Sequence, residues 1–247
     1  MARLFGLIGF PLSHSFSQRY FTEKFQREGI SDCRYESFPI EQIEQFEPLI
    51  ARHPDLCGLN VTIPYKEKVI PYLTELDESA LAVGAVNVIR IAPGKRKGFN
   101  TDTAGFRISL TNMLKKSGRT VKGATILGTG GASKAVAWVL RQMQIPYIIV
   151  SRRESFGHLS YQALRESHFR DYSLLINTTP LGMSPNLKEC PPIQYEFLQP
   201  DNILFDLIYN PEETLFLERG RQKGCLIQNG LEMLHAQAEA AWKVWND

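Results

Sequence analysis

Cysteine is scarce and scattered in this sequence. Cys33, Cys57, Cys190 and Cys225 show no metal-type spacing, which argues against a thiolate metal site and reads as buried or free thiols in a reducing cytoplasm. Long apolar runs are missing too, and none approaches the roughly 20 residues of a membrane-spanning helix. The apolar opening, Leu4 to Phe10, is broken by Gly6 and Gly9 and followed by Pro11, so it is expected to be a strand and not a secretory leader. An excess of one charge is also lacking. Lys and Arg number 28 against 26 Asp and Glu, a formal net charge of +2. No run of like charges is longer than Lys95-Arg96-Lys97. Such balance argues against a nucleic-acid or membrane-surface partner held by bulk electrostatics. No internal repeat or low-complexity segment is visible.

What remains is an ordinary globular composition, 43% hydrophobic and 22% charged over 247 residues, long enough for two modest domains. Strand and helix patterns alternate along it. Residues 4–9, 34–38 and 58–63 read as strands, separated by helical stripes at Phe16, Tyr20, Phe21, Phe25 and at Ile43, Phe46, Leu49, Ile50. A short helix is expected from Lys66. The apolar stretch 85–91 then meets the turn dipeptide Pro93-Gly94, so residues 96–100 are expected to return as a hairpin partner. A helix from Ala104 leads into later strands at 124–127, 147–150, 173–177, 203–207 and 225–227, with a helix near 212–221. Alternation of this kind implies parallel sheets with helical crossovers. The last helix carries an apolar stripe, Leu231, Leu234, Ala238, Ala241, Trp242 and Trp245, and is expected to pack back on the first domain. The fold class is therefore α/β with two α/β domains: residues 1–103 plus 231–247 for substrate, and 104–230 as a Rossmann-type nucleotide domain.

The nucleotide assignment rests on one unit. The strand Ala124-Thr125-Ile126-Leu127 runs into Gly128-Thr129-Gly130-Gly131-Ala132-Ser133 and a helical pattern. Glycines there let the backbone approach a pyrophosphate, and the helix offers its N-terminal amides to the anion. A second strand ends about twenty residues later in Ser151-Arg152-Arg153. NAD-binding proteins keep an acidic residue there for the ribose 2′-hydroxyl, whereas guanidinium forks suit a 2′-phosphate. The cofactor expected is NADP. A P-loop is no rival, since Lys134 lacks the glycine-lysine-serine/threonine ending.

Polar residues in the first domain fall where a core would not choose them. Ser13-His14-Ser15-Phe16-Ser17 follows the first strand, and in an extended stretch Ser15 and Ser17 point the same way, so two hydroxyls could grip one carboxylate. Asn60 and Thr62 alternate with Val61 and Ile63, which puts both on one face of a strand. Lys66 follows that strand, Asn87 interrupts an otherwise apolar one, and Asn100-Thr101-Asp102 falls at the domain junction. Each has a bland alternative as core amide, surface charge or helix cap. Together they gather at strand ends, where open sheets bind ligands.

On these motifs the chain resembles the shikimate dehydrogenase family nearly end to end. The resemblance lies in residues 13–17, 60–66, Gly84-Ala85-Val86-Asn87, Asn100-Thr101-Asp102 and 128–133. It continues through Asn177-Thr178-Thr179-Pro180-Leu181-Gly182-Met183, residues 206–211 with Thr214, and 230–237. It implies reversible NADP-dependent reduction of 3-dehydroshikimate to shikimate, a step of aromatic amino-acid biosynthesis. By that likeness Ser15 and Ser17 hold the substrate carboxylate with Tyr209 nearby, and Asn60, Thr62, Lys66, Asn87, Asp102 and Gln237 ring its hydroxyls. Lys66 and Asp102 match the catalytic pair. Gly128, Gly130, Gly131 and Ala132 match the pyrophosphate loop, and Ser151, Arg152 and Arg153 the 2′-phosphate grip. Thr178 belongs with the cofactor residues, and Met183 and Gly230 fall where the family lines its nicotinamide pocket. Ser151 stands where many relatives carry asparagine and Arg153 where many carry threonine; both changes keep the site polar or more basic.

Ketone reduction needs a hydride donor and a proton donor on the oxygen. Lys66 is the candidate for the proton, oriented by Asp102, with His14 as a rival whose place suits a structural role. Other readings stand beside this one: a dual-specificity quinate/shikimate dehydrogenase, a non-catalytic NADP-dependent sensor on the same scaffold, or another two-domain NADP enzyme. The sequence leaves monomer and homodimer open.

Overall fold

A seven-residue strand, β1 (Arg3–Gly9), opens the chain. Its side chains alternate between two apolar layers: Leu4 and Ile8 join one buried cluster, Phe5 and Leu7 another. A strand buried on both faces needs a cover on each side, and the following elements supply it. They are α1 (Phe16–Arg27), β2 (Cys33–Pro39), α2 (Phe46–Arg52), β3 (Leu56–Val61), β4 (Glu75–Leu76), α3 (Glu78–Val83), β5 (Val88–Ala92) and β6 (Lys95–Phe99). The computed structural model describes residues 2–12, 16–154 and 158–247. Two compact units emerge, one of Met1–Thr101 with Ala238–Asp247 and one of Asp102–Gln237.

The first unit holds a six-stranded sheet in the order β2-β1-β3-β5-β6-β4. Strands β2, β1 and β3 run parallel, but β5 is antiparallel to both β3 and β6. The sheet is therefore mixed, where alternation alone implied a parallel one. The tight Pro93-Gly94 turn accounts for the reversal between β5 and β6, since a hairpin reverses direction, and the connection over residues 62–87 returns β5 antiparallel to β3. The expected strand over 85–91 starts later, at Val88, so Asn87 sits at its entrance.

The second unit contains α4 (Thr101–Ser117), β7 (Ala124–Leu127), α5 (Gly131–Gln142), β8 (Tyr147–Ser151), β9 (His158–Ser160), α6 (Glu166–Asp171), β10 (Leu174–Asn177), β11 (Ile203–Asp206), α7 (Leu215–Gln222), β12 (Leu226–Gln228) and α8 (Leu231–Asn246). Thr101, the first residue of α4, and the part of α8 from Ala238 onward belong to the first unit. Its sheet, β12-β11-β10-β7-β8-β9, is parallel throughout. That is the doubly wound dinucleotide-binding order, with its switch point between β7 and β10.

The end of α8 packs on the first unit's sheet as its apolar stripe implied. Ala238, Ala241 and Trp245 are buried there beside Phe5, Phe21 and Tyr35. Trp245 stacks on Phe5 at 4.8 Å and donates its indole N–H to the Ile89 carbonyl at 3.0 Å. Lys24, only 4% exposed, reaches Glu239 of α8 and Glu28 just past the end of its own helix, each at 2.9 Å. A lysine this buried needs such partners.

Candidate active site

In the first unit, polar side chains collect at the carboxyl ends of β1 and β3. Asn60, one residue before β3 ends, is 4% exposed and accepts the Tyr35 hydroxyl proton at 2.7 Å. Ser17 hydrogen-bonds the same phenol. Ser17 does not lie in an extended stretch, as alternation with Ser15 required, because α1 already begins at Phe16. Ser13, His14 and Ser15 lie outside the described residues. Thr62 falls just past β3 and is half-buried, its amide still pairing with the Ile8 carbonyl at 2.9 Å.

No α-helix starts at Lys66, contrary to the sequence expectation. Residues 66–69 form turns, followed by a single 3-10 turn, Ile70–Tyr72. Pro71 falls inside the second turn of any helix begun at Lys66, where it has no N–H for the Glu67 carbonyl and its ring clashes there, which is enough to forestall a regular helix. Lys66 is instead fixed through its carbonyl, which accepts the Val86 amide at 2.7 Å. The next residue, Asn87, is 4% exposed and its Oδ1 accepts the Thr101 amide at 2.7 Å. That bond caps the start of α4. Lys66, Asn87 and the helix start are thus tied in sequence, and Asp102 is the following residue, in the first turn of α4.

In the second unit, the first turn of α4 lies against α8. A Cβ placed on Gly105 would meet the Met233 carbonyl oxygen at 2.6 Å and Gln237 Cβ at 3.0 Å. Gln237, itself buried, is thereby set beside the turn that carries Asp102.

The glycine-rich loop sits at the sheet's switch point. Gly128 adopts φ +117°, a conformation closed to other residues in practice, and a Cβ there would strike Thr178 Oγ1 at 2.7 Å. Thr178 bridges the two strand ends, its amide and hydroxyl both reaching the Leu127 carbonyl, at 3.0 and 2.8 Å. Gly130 caps α5 and Gly131 opens it. Around both, a Cβ would meet open space. The protein itself does not demand these glycines, so the cradle suits an outside group: a pyrophosphate against the amides of a 12-residue helix. Ala132 is exposed in the same turn. At the end of β8 the Ser151 hydroxyl donates to the Arg153 carbonyl, and both Arg152 and Arg153 are exposed. These residues fit a dinucleotide carrying a 2′-phosphate.

The loops after β10 and β11 are locked by one carboxylate. Asp206 has no solvent exposure. Its Oδ1 accepts Asn177 Nδ2 and the Ile208 amide, each at 3.0 Å, and its Oδ2 accepts the Thr214 hydroxyl at 2.6 Å. Burial pushes its pKa up to about 6 despite these three donors. Asn177 in turn holds the amide and hydroxyl of Thr179, at 3.0 and 2.6 Å. The network fixes the segment that carries Thr178 and Met183 and the one that carries Tyr209. Met183 and Tyr209 are exposed, at 47% and 41%, and so are open to a ligand. Gly230 donates its amide to the Ile208 carbonyl at 3.0 Å.

The family profile for the shikimate dehydrogenase substrate-binding domain matches residues 7–89. The shikimate dehydrogenase (NADP(+)) of Staphylococcus aureus strain MRSA252 is 35% identical over 98% of this chain and 92% of its own. The chain belongs to the shikimate dehydrogenase family. Solved structures agree. A shikimate dehydrogenase in complex with NADP+ superposes with a TM-score of 0.85 at 33% identity, over 99% of this chain and 90% of that one. The Thermus thermophilus enzyme, in complex with NADP(H) and shikimate, gives 0.83 at 29% identity, over 98% and 93%.

For a shikimate dehydrogenase, two features of the site were invisible along the sequence. Tyr35 reads as one more core aromatic on a strand. Asp206 and Asn177 read as strand-end polar residues in stretches that resemble the family, with nothing to show that they meet across 29 positions.

Proposed function

We propose that the protein interconverts 3-dehydroshikimate and shikimate, with NADP(H) as the redox partner. The observation that carries the reading is the pair of buried strand-end amides, Asn60 and Asn87, joined by the Asn60 Nδ2 bond to the Asn87 carbonyl, with the Lys66 carbonyl tied to the Val86 amide, next to Asn87 in sequence. Asn60 and Asn87 are each 4% exposed. Protein partners fix both amides in place, Tyr35 holding Asn60 and Thr101 holding Asn87, and amides held in this way at strand ends suit a polyhydroxylated ring.

Lys66 and Asp102 are the catalytic pair in this reading. NADPH supplies the hydride to the ring carbonyl carbon. Lys66 Nζ gives a proton to the oxygen as negative charge develops there, and in the reverse direction takes it back. Asp102 orients the ammonium and accepts a substrate hydroxyl. Ser15 and Ser17 hold the carboxylate, with Tyr209 nearby, while Asn60, Thr62, Asn87 and Gln237 bind the ring hydroxyls. Gly128, Gly130, Gly131 and Ala132 receive the pyrophosphate, Ser151, Arg152 and Arg153 the 2′-phosphate, and Thr178, Met183 and Gly230 line the nicotinamide. Residues 1–103 with 231–247 are the substrate domain and 104–230 the NADP domain. Four free thiols fit a reducing cytoplasm.

The test is absorbance at the NADPH band with purified protein, offering shikimate or quinate and NADP⁺ or NAD⁺. Rapid reduction with shikimate and NADP⁺ alone is expected. Comparable rates with quinate or NAD⁺ would replace it by a dual-specificity enzyme. Binding of NADP⁺ without turnover would leave a sensor.

A further inference from the structure

Tyr35 lies on the face of its sheet that α1 and the end of α8 cover. Its ring stacks on Phe21 at 4.9 Å and lies 6.3 Å from Trp245, and the residue is 6% exposed. A ring held on two sides has little freedom, so its hydroxyl is a fixed point. That hydroxyl donates to Asn60 Oδ1 at 2.7 Å and is hydrogen-bonded by Ser17. A phenol has one proton to give. Spending it on Asn60 leaves the oxygen to accept from Ser17. Burial holds the phenol well above its ordinary pKa, so that proton stays in place through the neutral range.

The two ends of a carboxamide are nearly alike in shape and opposite in hydrogen bonding. With Oδ1 committed to Tyr35, Asn60 turns Nδ2 the other way. Among the described residues Nδ2 reaches only the Asn87 carbonyl, at 3.5 Å. Asn60 is thereby a donor, suited to an oxygen that accepts. Ser17 rests against the phenol, and a carboxylate can draw its proton away by offering a charge-assisted bond in place of a neutral one. We infer that Tyr35 is a positioning residue of the substrate site, fixing which end of the Asn60 amide meets the substrate and parking the Ser17 hydroxyl until a carboxylate arrives. This rests on Asn60 and Ser17 being substrate ligands.

Tyr35→Phe keeps the ring and deletes the hydroxyl. The shikimate KM should rise about tenfold, the loss expected when a buried partner is left without its bond. The KM for NADP⁺ and kcat should stay within about twofold, a split that general loosening of the fold would not produce. In an Asn60→Ala background the same substitution should add clearly less than about tenfold, because the route through Asn60 is already gone and only the one through Ser17 remains. An unchanged shikimate KM, or an equal rise in the Asn60→Ala background, overturns the role while leaving the activity standing. A wild-type protein that does not turn over shikimate overturns both. If Tyr35→Phe does not fold, the wild type decides: with ¹⁵N-labelled asparagine, shikimate should shift the Asn60 side-chain amide signal, assigned by its loss in Asn60→Ser. No shift there also overturns the role.

Discussion

Replacing Asp206 by Asn tests the lock on the cofactor-side loops and has a sign that can be worked out beforehand. In the folded protein the carboxyl titrates near about 6, against an ordinary 3.8, because burial penalises its charge more than three donors favour it. A raised folded pKa means that the native state holds the proton more tightly than the unfolded chain. The associated stability is fully present below the unfolded pKa and is lost as pH rises through the folded one. The gap corresponds to about 3 kcal/mol in full, and about half of it falls between pH 5 and 8. Asn is the same shape and carries no charge to desolvate. Its Oδ1 can keep Asn177 and Ile208, while its Nδ2 faces Thr214, whose oxygen can accept. Any packing or hydrogen-bond difference is constant with pH, so the change in the gap is the observable. Urea unfolding of both proteins from pH 5 to 8 should show the variant gaining about 1.4 kcal/mol on the wild type as pH rises. A gap that stays constant would falsify the argument, and one that moves the other way would mean that the three donors outweigh burial.

Gly230→Ala puts a Cβ 2.6 Å from the Leu207 carbonyl carbon, so backbone must part there by roughly 1 Å; kcat/KM should fall about 100-fold, and unchanged kinetics would remove Gly230 from the site. Arg152→Ala and Arg153→Ala should each raise the KM for NADP⁺ about tenfold, the order expected for removing one charge-assisted hydrogen bond, with NAD⁺ kinetics unmoved; parallel changes for both nucleotides would assign the arginines another job. Lys66→Met should leave shikimate affinity near wild type by calorimetry and lower kcat by about 10²–10⁴; retained turnover would strike Lys66 from the proton path.

The nucleotide unit was legible because its signals are local. Strand β7 occupies residues 124–127, as read from four apolar residues before a glycine turn, and α5 begins at Gly131 inside that motif. A doubly covered parallel strand must be apolar throughout, and a pyrophosphate loop must be glycine-rich, so both leave a mark in a few consecutive positions. The hairpin of β5 and β6 was equally plain from Pro93-Gly94. Short elements were not: α3, α6 and β9 are too brief to carry a period. The turn at Lys66 misled because polar and charged residues after a strand resemble a helix start, while Pro71 further on decides otherwise.

The sequence by itself determined that this is a two-part α/β protein with a dinucleotide loop, two arginines in place of an acid, and a set of polar residues at strand ends. Those properties are carried by residue type and spacing, which the chain displays before it folds. Only the tertiary structure decided how the polar residues are aimed. Asn60 became a donor because Tyr35, 25 positions earlier, takes its oxygen. The segments carrying Met183 and Tyr209 were set by Asp206, which three donors from separate stretches converge upon. A hydrogen bond between residues far apart in the chain depends on where packing puts them, and packing is settled by the whole core at once.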